Sequence, residues 1–314
     1  MMRVGNVSGA VKLITENADG GVLPLDQETI RILQAKHAEA AESEPSSLME
    51  EEIVDIHPSV YDTITSAHIQ EAARRTKGGS GPSGMDADNW SKIIGSNKYG
   101  LVGNDLREAI TRFARSICSE KVEHHTTEDG RITSSLEAYL ACRLVPLDKK
   151  PGVRPIGVGE VLRRIVSKAV MAVTRGDIIG AVGNIQVCAG QKGGCEAAIH
   201  AMREIYNDDM SEAVLMVDAS NAFNSLNRKT ALHNIAPLCP VISTFVYNCY
   251  TPQARLFVIG GKELASREGT TQGDPITMAI YAMGSAPLLN KLKEDSIGSK
   301  QIAYDDDLSL GGKI

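Results

Sequence analysis

Three consecutive aspartates, residues 305–307, lie between two short apolar stretches near the end of the sequence. Apolar residues separated by a tight polar cluster predict a strand, a turn and a second strand. Carboxylates crowded into one turn repel one another, so either solvent or a cation must offset their charge. Divalent cations such as Mg²⁺ bind oxygen ligands of this kind. The cluster therefore predicts either a solvated turn or a metal site.

A fourth aspartate ends another apolar stretch. Residues 214–217 are Val-Leu-Met-Val, and Asp218 follows them directly. A short continuous apolar run predicts a strand that is buried on both faces. Asp218 then either caps a helix that begins at Ala219 or ligates a metal ion. Taken alone, this segment favours the cap.

The sequence between these two acidic sites predicts a hairpin and a helix. The glycine pair at residues 260–261 lies between two strand-like stretches and indicates a two-residue hairpin turn. Asp274 and Pro275 are typical of a helix N-cap and of the first helical position. Gly284 and Pro287 then predict a kink or a break within that helix.

Charge is distributed unevenly along the chain, whose net charge is −6. Residues 26–62 carry ten acids against two bases and predict a short helix followed by a solvated acidic linker. Residues 141–175 carry eight bases against two acids. Three of those bases, Arg163, Arg164 and Lys168, are expected on the polar face of a helix near 159–173. The "DKKPGVRPI" turn differs, because its two lysines and its arginine can converge on one anion, for which phosphate is the usual candidate.

Cysteine spacing and hydropathy exclude several classes of protein. The six cysteines contain no C-x-x-C pair and no zinc-finger spacing, which predicts reduced thiols in an intracellular protein. The sequence shows neither a signal-peptide pattern nor an apolar run long enough to span a membrane.

Five motifs follow one another along the chain, from the N-terminal side "GGSGPSGMD", "KKPGVRPIGV", "VDASNAF", "EGTTQGDP" and "YDDD". In sequence and order they resemble those of a reverse transcriptase of the non-long-terminal-repeat (LINE-like) retrotransposon type, and the resemblance covers residues 65–314. A single motif of this kind is weak evidence, whereas five in the family's order are specific.

The resemblance implies the architecture of the chain. It implies an α+β protein with the right-hand fold of polymerases, in which residues 65–212 form the fingers and residues 213–314 form a ferredoxin-like palm. Residues 1–64 precede them as a poorly patterned region with the acidic linker. The family continues beyond its third palm motif into a thumb, so we expect a chain truncated after that motif and lacking the thumb.

The resemblance also implies a two-metal site. Asp218 and Asp306 would ligate both of two Mg²⁺ ions, which Mn²⁺ can replace, and Asp307 would support them. The backbone of Ala219 would coordinate one ion as well. Asp305 occupies the variable position of the Tyr-x-Asp-Asp motif, where the family commonly has alanine. An additional carboxylate there is harmless if it points to solvent and misplaces a metal ion if it does not.

Further residues are implied to contact the substrates: Lys149 or Lys150, Arg154, Phe223, Gln272 and Gly273. The cations among them would hold the incoming triphosphate. The ring of Phe223 would exclude a ribose 2′-hydroxyl, and Gln272 and Gly273 would lie against the template–primer duplex.

These assignments predict an RNA-directed DNA polymerase that adds deoxynucleotides to the 3′-hydroxyl of a DNA primer on an RNA template. The family implies a nuclear site of action. A second hypothesis is a non-enzymatic retrotransposon relic that at most binds nucleic acid. A third is a metal-dependent glycosyltransferase with an Asp-x-Asp pair at Asp305 and Asp307, which leaves the Gln-Gly and Arg-Pro-Ile elements unexplained.

Overall fold

The computed structural model describes residues 21–149 and 152–313. Helices and strands are mixed along the chain, which confirms the predicted α+β class. The α-helices are α1 (Gln27–Lys36), α2 (Ser66–Arg75), α3 (Ala87–Trp90), α4 (Gly100–Ser119), α5 (Glu137–Leu140), α6 (Val161–Val173), α7 (Arg175–Val182), α8 (Gly194–Tyr206), α9 (Ala222–Ser225), α10 (Arg228–Leu238), α11 (Pro240–Tyr250) and α12 (Thr277–Asp295). The strands are β1 (His124–Thr126), β2 (Ile132–Ser134), β3 (Cys142–Asp148), β4 (Val153–Gly159), β5 (Ala213–Asp218), β6 (Ala254–Val258), β7 (Glu263–Ser266), β8 (Lys300–Tyr304) and β9 (Asp307–Gly312).

The strands of the described part of the chain form three sheets. A two-stranded sheet contains β1 and β2, a four-stranded sheet has the order β4-β3-β6-β7, and a three-stranded sheet has the order β5-β9-β8. In the four-stranded sheet β3 runs antiparallel to β4 and parallel to β6. Because β4 lies at the edge of this sheet, the backbone groups on its outer side can bond to a segment that is not part of the sheet.

The three-stranded sheet carries the acidic residues. Strand β9 runs antiparallel to both of its neighbours, so β5 and β8 are parallel with β9 between them. This is the arrangement of a split βαβ unit. Helix α8 packs on one face of the sheet through Ile205, which contacts Val214 and Ile302. Helix α12 packs on the other face, where Leu289 contacts Ala303.

A helical body forms the largest apolar core. Buried residues from helices α2, α4, α6, α10, α11 and α12 pack together in it, and the side chain of Phe245 is fully buried. Trp90, which follows the Gly-rich stretch at residues 78–84, packs against this core. Among the described residues, no helix combines the length and the apolarity needed to cross a membrane.

Strand β5 differs from the prediction in its burial. The strand exists and ends at Asp218, but Leu215 and Met216 are 60% and 74% exposed. The expectation of burial on both faces is wrong, because Val214 is the one residue of this edge strand that packs against a core cluster in the described part of the chain. An apolar run cannot distinguish a central strand from an edge strand, since both need the same local conformation.

The helix predicted at Asp274 and Pro275 begins two residues later than expected. Helix α12 starts at Thr277 and continues without interruption through Gly284 and Pro287, so the predicted break is wrong. Asp274 does not cap the helix, and its carboxylate instead accepts a hydrogen bond from Arg163. The Gly-Gly hairpin is confirmed, with both glycines at positive φ, but its connection runs over residues 259–262 rather than over two residues.

The acidic linker is anchored to the rest of the chain. The backbone NH of Ala41 donates to Glu268 at 2.6 Å, and Asn227 donates to the carbonyl oxygen of Glu42 at 3.1 Å. Further along, Asn234 accepts from the NH of Met49 at 3.0 Å. The acidic side chains stay exposed as predicted, but the backbone follows the surface of α10 through these asparagine contacts.

Candidate active site

The structure brings Asp218 and the aspartate cluster together at one end of the three-stranded sheet. Asp218 and Asp307 are direct partners in the register between β5 and β9. The NH of Ala219 donates to the carbonyl oxygen of Asp306 at 3.4 Å. The main chains of Asp218 and Asp306 therefore lie next to each other, although the two residues are 88 positions apart in the sequence. Asp218 does not cap a helix, because α9 begins only at Ala222 with Asn221 as its N-cap.

The carboxylates of this cluster repel one another. Partial burial raises the pKa of Asp307, and the charges of Asp306 and Asp218 raise it further. Opposite charge placed beside these groups would remove that repulsion. A cation is therefore favoured at this end of the sheet.

Asp305 is the first of the two residues in the β8–β9 turn, and its φ is +61°. The backbone NH of Asp305 donates to Gln186 Oε1 at 2.9 Å, and Gln186 Nε2 donates to the Asp305 carbonyl oxygen at 3.0 Å. The carboxyl oxygen Oδ1 of Asp305 is buried without a hydrogen-bond partner. Burial, followed by the charges of Asp306 and Asp307, raises the pKa of Asp305 to about 7. The additional carboxylate therefore does not simply point to solvent.

Residues 268–274, which we call the 268–274 turn, contact Phe223 on one side. The NH of Thr270 donates to the Phe223 carbonyl oxygen at 2.5 Å. Gly269 has a φ of +60°, and a Cβ on it would lie 2.2 Å from the same oxygen. A side chain at position 269 would thus push the turn away from α9, so the close approach requires glycine.

The opposite side of the turn lies against the free edge of β4. The NH of Gly157 donates to the Gln272 carbonyl oxygen at 2.8 Å. Gly273 has a φ of +111°, and a Cβ there would lie 2.6 Å from the Gly157 carbonyl oxygen. These contacts place Gln272 and Gly273 beside the strand that carries Arg154, which is exposed.

A buried ion pair holds the end of the turn. Arg163 Nη2 lies 2.6 Å from Asp274 Oδ2, and the two side chains are only 2% and 4% exposed. Tyr250 donates to the same carboxyl oxygen at 2.8 Å, and Arg163 also donates to the Leu140 carbonyl oxygen. The interaction with Asp274 raises the pKa of Arg163 although burial opposes it. Two predictions are wrong here, because Arg163 is not on a polar helix face and Asp274 is not a helix cap.

Arg228 holds the beginning of the turn. This buried guanidinium donates to the carbonyl oxygens of Ser266, Glu268 and Gly269 at 2.7–2.8 Å. Buried polar groups need such partners, so the turn is tied to α10 as well as to α6 and β4.

Tyr281 connects Phe223 with the acids. Its ring centroid lies 5.3 Å from that of Phe223 at an interplanar angle of 52°. Burial raises the pKa of Tyr281 to about 12, and the nearby charges of Asp306 and Asp305 contribute to the increase. One side chain of α12 therefore contacts the Phe223 ring and lies close enough to the carboxylate cluster to feel its charge.

The predicted phosphate-binding cations lie at the β3–β4 hairpin. Lys149 and Arg154 are both exposed, and the Lys149 NH donates to the Gly152 carbonyl oxygen at 3.1 Å. Lys150 lies outside the described residues. Within the described ranges, successive backbone contacts connect Arg154 with the acids. Strand β4, which carries Arg154, bonds to the 268–274 turn, and that turn bonds to Phe223, five residues after Asp218.

The oxygen ligands of the cluster are of the type that Mg²⁺ binds. In the described part of the chain, no three His, Cys, Asp or Glu side chains converge on a position that would hold a metal ion. Mg²⁺ is commonly held by one or two carboxylates together with waters and substrate phosphates. The register pair Asp218 and Asp307 supplies two carboxylates and fits that smaller set of protein ligands.

Three residues of this region were not identified from the sequence: Gln186, Arg163 and Tyr281. Gln186 lies between Ile185 and Val187, and this short apolar setting is the only signal that it belongs to a strand-like segment. Helical periodicity places Arg163 beside the buried apolar residues of α6 and not among them, so the sequence does not indicate that Arg163 is buried. The partners of all three side chains lie far away in the sequence and come close only in the folded chain.

No protein-family model matches the chain. A search of curated proteins likewise finds no match.

Proposed function

We propose that this protein is an RNA-directed DNA polymerase domain that transfers deoxynucleotides to a primer 3′-hydroxyl. In this proposal the three-stranded sheet belongs to a ferredoxin-like palm, and the β3–β4 hairpin belongs to the fingers. Its partners are an RNA template with a DNA primer and a deoxynucleoside triphosphate, and its site of action is the nucleus.

The register pair Asp218–Asp307 is the observation that carries the proposal. It puts two carboxylates at the same end of one sheet, with Asp306 in the adjoining turn. A glycosyltransferase that uses Asp305 and Asp307 gives no role to Asp218. It also leaves unexplained why the 268–274 turn joins Phe223 to β4.

Asp218, Asp306 and Asp307, with the backbone of Ala219, would hold Mg²⁺ or Mn²⁺. Divalent ions bound there would lower the pKa of the attacking hydroxyl and stabilise the leaving pyrophosphate. The carboxylates hold that charge in place, and their own mutual repulsion is relieved when they do so.

The remaining residues position the substrates. Lys149 and Arg154, at the exposed hairpin, attract the triphosphate through charge, and the guanidinium can bind two phosphate oxygens at once. Phe223 is held by Thr270 behind it and by Tyr281 beside it, so its ring forms a rigid wall against a 2′-hydroxyl. Gln272 and Gly273 present backbone close to where a duplex would lie.

Primer extension on poly(rA)/oligo(dT) with Mg²⁺ tests this proposal. We expect extension by the protein and none by Asp218→Asn or Asp306→Asn, because each change removes a negative ligand without changing side-chain size. Asp209→Asn is the matched control, since Asp209 is exposed and lies before β5 rather than at its acidic end. Extension that survives both active-site changes would refute the proposal.

Phe223→Val tests the role of the ring separately. Removing the ring is expected to reduce the preference for deoxynucleotides over ribonucleotides by roughly 10–100-fold, the usual scale for a lost steric contact. An unchanged preference would show that Phe223 serves the core and not the selection of the sugar.

The burial of Asp305 favours one alternative, a retrotransposon relic without turnover. A half-buried carboxylate beside the metal ligands is a departure from an alanine at this position. Under this alternative the protein binds an RNA–DNA duplex in a filter-binding assay and extends no primer, and Asp305→Ala restores extension if the buried carboxylate is the cause.

A further inference from the structure

The side chain of Gln186 pairs with the backbone of Asp305 as another strand would. Its amide accepts from the Asp305 NH at 2.9 Å and donates to the Asp305 carbonyl oxygen at 3.0 Å. Gln186 is 1% exposed. Both polar atoms of one buried amide are therefore used on one residue of the acidic turn.

The main chain around Gln186 is fixed to the same strand. The NH of Ala303 donates to the Ile185 carbonyl oxygen at 2.8 Å, and the NH of Val187 donates to the Ala303 carbonyl oxygen at 3.0 Å. These bonds form a parallel bridge along the outer edge of β8. The side chain of Gln186 continues this ladder beyond the point where the strand ends.

Helix α8 supports the segment from behind. A Cβ on Gly194, the first residue of that helix, would lie 2.0 Å from the Val187 carbonyl oxygen and 3.5 Å from the ring of Tyr304. The glycine therefore permits a close approach that leaves little room for Val187 to move. Gln186 is thus attached to a rigid part of the fold.

The turn requires such support because its first residue is strained. Asp305 has a positive φ of +61°, and of the two turn residues only this one does. That pattern belongs to a turn type that prefers glycine at its first position. A non-glycine residue persists in such a sparsely populated conformation only where its surroundings impose it.

We propose that Gln186 is a positioning residue that sets the direction of the Asp306 and Asp307 carboxylates by holding the backbone of Asp305. The inference rests on the proposed function for its consequence in catalysis. Its structural part, the restraint on the turn, stands independently of activity.

Gln186→Met tests this role because methionine has a similar length and no hydrogen-bonding amide. We expect primer extension at saturating nucleotide to fall by about 10–100-fold, the range found when a residue that orients metal ligands is replaced. The Mg²⁺ concentration for half-maximal rate is expected to rise. The affinity for the RNA–DNA duplex is expected to stay within about twofold, since Gln186 is buried away from any duplex.

The matched control is Gln301→Met. Gln301 lies on β8 and donates to the Leu289 carbonyl oxygen at 3.0 Å, so the same substitution removes a hydrogen bond from the same strand without touching the turn. We expect it to leave the rate and the Mg²⁺ dependence unchanged.

Asp305→Gly provides the rescue. Glycine adopts positive φ at little cost, so the turn then needs less external restraint. The double variant Gln186→Met/Asp305→Gly is expected to regain at least about tenfold of the lost rate. If Gln186→Met loses rate and the double variant does not recover, Gln186 has only a structural role and the proposal is overturned.

Hydrogen–deuterium exchange provides a readout that does not depend on polymerase activity. Gln186→Met is expected to increase exchange at residues 304–308 while β3 and β4 keep their protection. If the wild-type protein extends no primer but the turn loses protection in the variant, the proposed function fails and the restraint stands. Unchanged exchange at the turn overturns the inference. If Gln186→Met does not fold, Gln186→Glu is measured instead, since it keeps the acceptor and opposes a carboxylate to the Asp305 carbonyl oxygen.

Discussion

Replacing Asp305 by asparagine is expected to stabilise the protein at neutral and alkaline pH. The carboxyl oxygen Oδ1 of Asp305 is buried without a partner, and Asp306 and Asp307 follow directly in the chain. Both features disfavour the ionised form. Asparagine keeps the size of the side chain and, like aspartate, tolerates positive φ better than most residues. The substitution therefore removes the charge and leaves the turn geometry nearly unchanged.

The magnitude follows from the pKa. Burial, with the two neighbouring charges, raises the pKa of Asp305 from 3.8 to about 7. At about 1.36 kcal/mol per pKa unit, the full shift corresponds to about 4 kcal/mol of folding free energy. The carboxyl group keeps partial access to solvent, which screens part of this penalty. We therefore expect Asp305→Asn to raise the free energy of unfolding by about 1–3 kcal/mol.

The sign of the pH dependence follows from the direction of the shift. The folded protein holds the proton of Asp305 up to about pH 7, whereas the unfolded chain loses it near 3.8. The penalty is absent below the unfolded pKa, grows as pH rises between the two values, and is constant above the folded pKa. The difference between Asp305→Asn and the wild type should therefore be small near pH 4 and reach its plateau near pH 8.

Urea unfolding at pH 4, 6 and 8 with a chelator present measures this difference. The chelator is needed because a bound cation would offset the same repulsion. Asp209→Asn controls for the general effect of removing one negative charge. A constant difference across these pH values, or destabilisation by Asp305→Asn at pH 8, would refute the reasoning.

Two further predictions concern the 268–274 turn. Arg163→Met is expected to lower the free energy of unfolding by about 3–5 kcal/mol, because Asp274 stays buried without its counter-charge, and adding Asp274→Asn should recover part of this loss in urea unfolding. Gly157→Ala is expected to cost about 1–3 kcal/mol in the same assay, because its Cβ would lie 2.2 Å from a threonine methyl of the turn. Gly159→Ala is the matched control on the same strand, since the nearest atom there, a thiol sulfur, is 3.4 Å away.

Local sequence patterns were sufficient for the elements that hold the acids. The strand, turn and strand around residues 305–307 and the strand before Asp218 follow from short apolar runs, and the structure has both. Their pairing was predicted through the resemblance to polymerases rather than from these patterns. An apolar run specifies extended backbone but not the strand beside it, since partners far apart in sequence leave no local signal.

Local rules failed where a polar residue found a distant partner. Asp274 before Pro275 has the sequence of a helix cap, yet its carboxylate is bonded to Arg163, which is 111 positions away. A buried ion pair forms only when both desolvated groups meet, so neither residue alone indicates it. The sequence does not indicate the role of Gln186 either. Its hydrogen-bond partners are the NH and the carbonyl oxygen of Asp305, and such backbone groups occur along the whole chain.

Helix α12 connects the two halves of the candidate site. It begins directly after the 268–274 turn, presents Tyr281 to Phe223, and packs Leu289 on the sheet that carries the acids. The turn is itself fixed by Arg163 and by the edge of β4, so a shift of the turn would move the start of the helix. Packed cores transmit such shifts because they contain little free volume. Helix α12 therefore contacts the ring of Phe223 on one side and supports the sheet of the carboxylates on the other, whereas Gln186 bonds to the acidic turn at the β8 edge of that sheet.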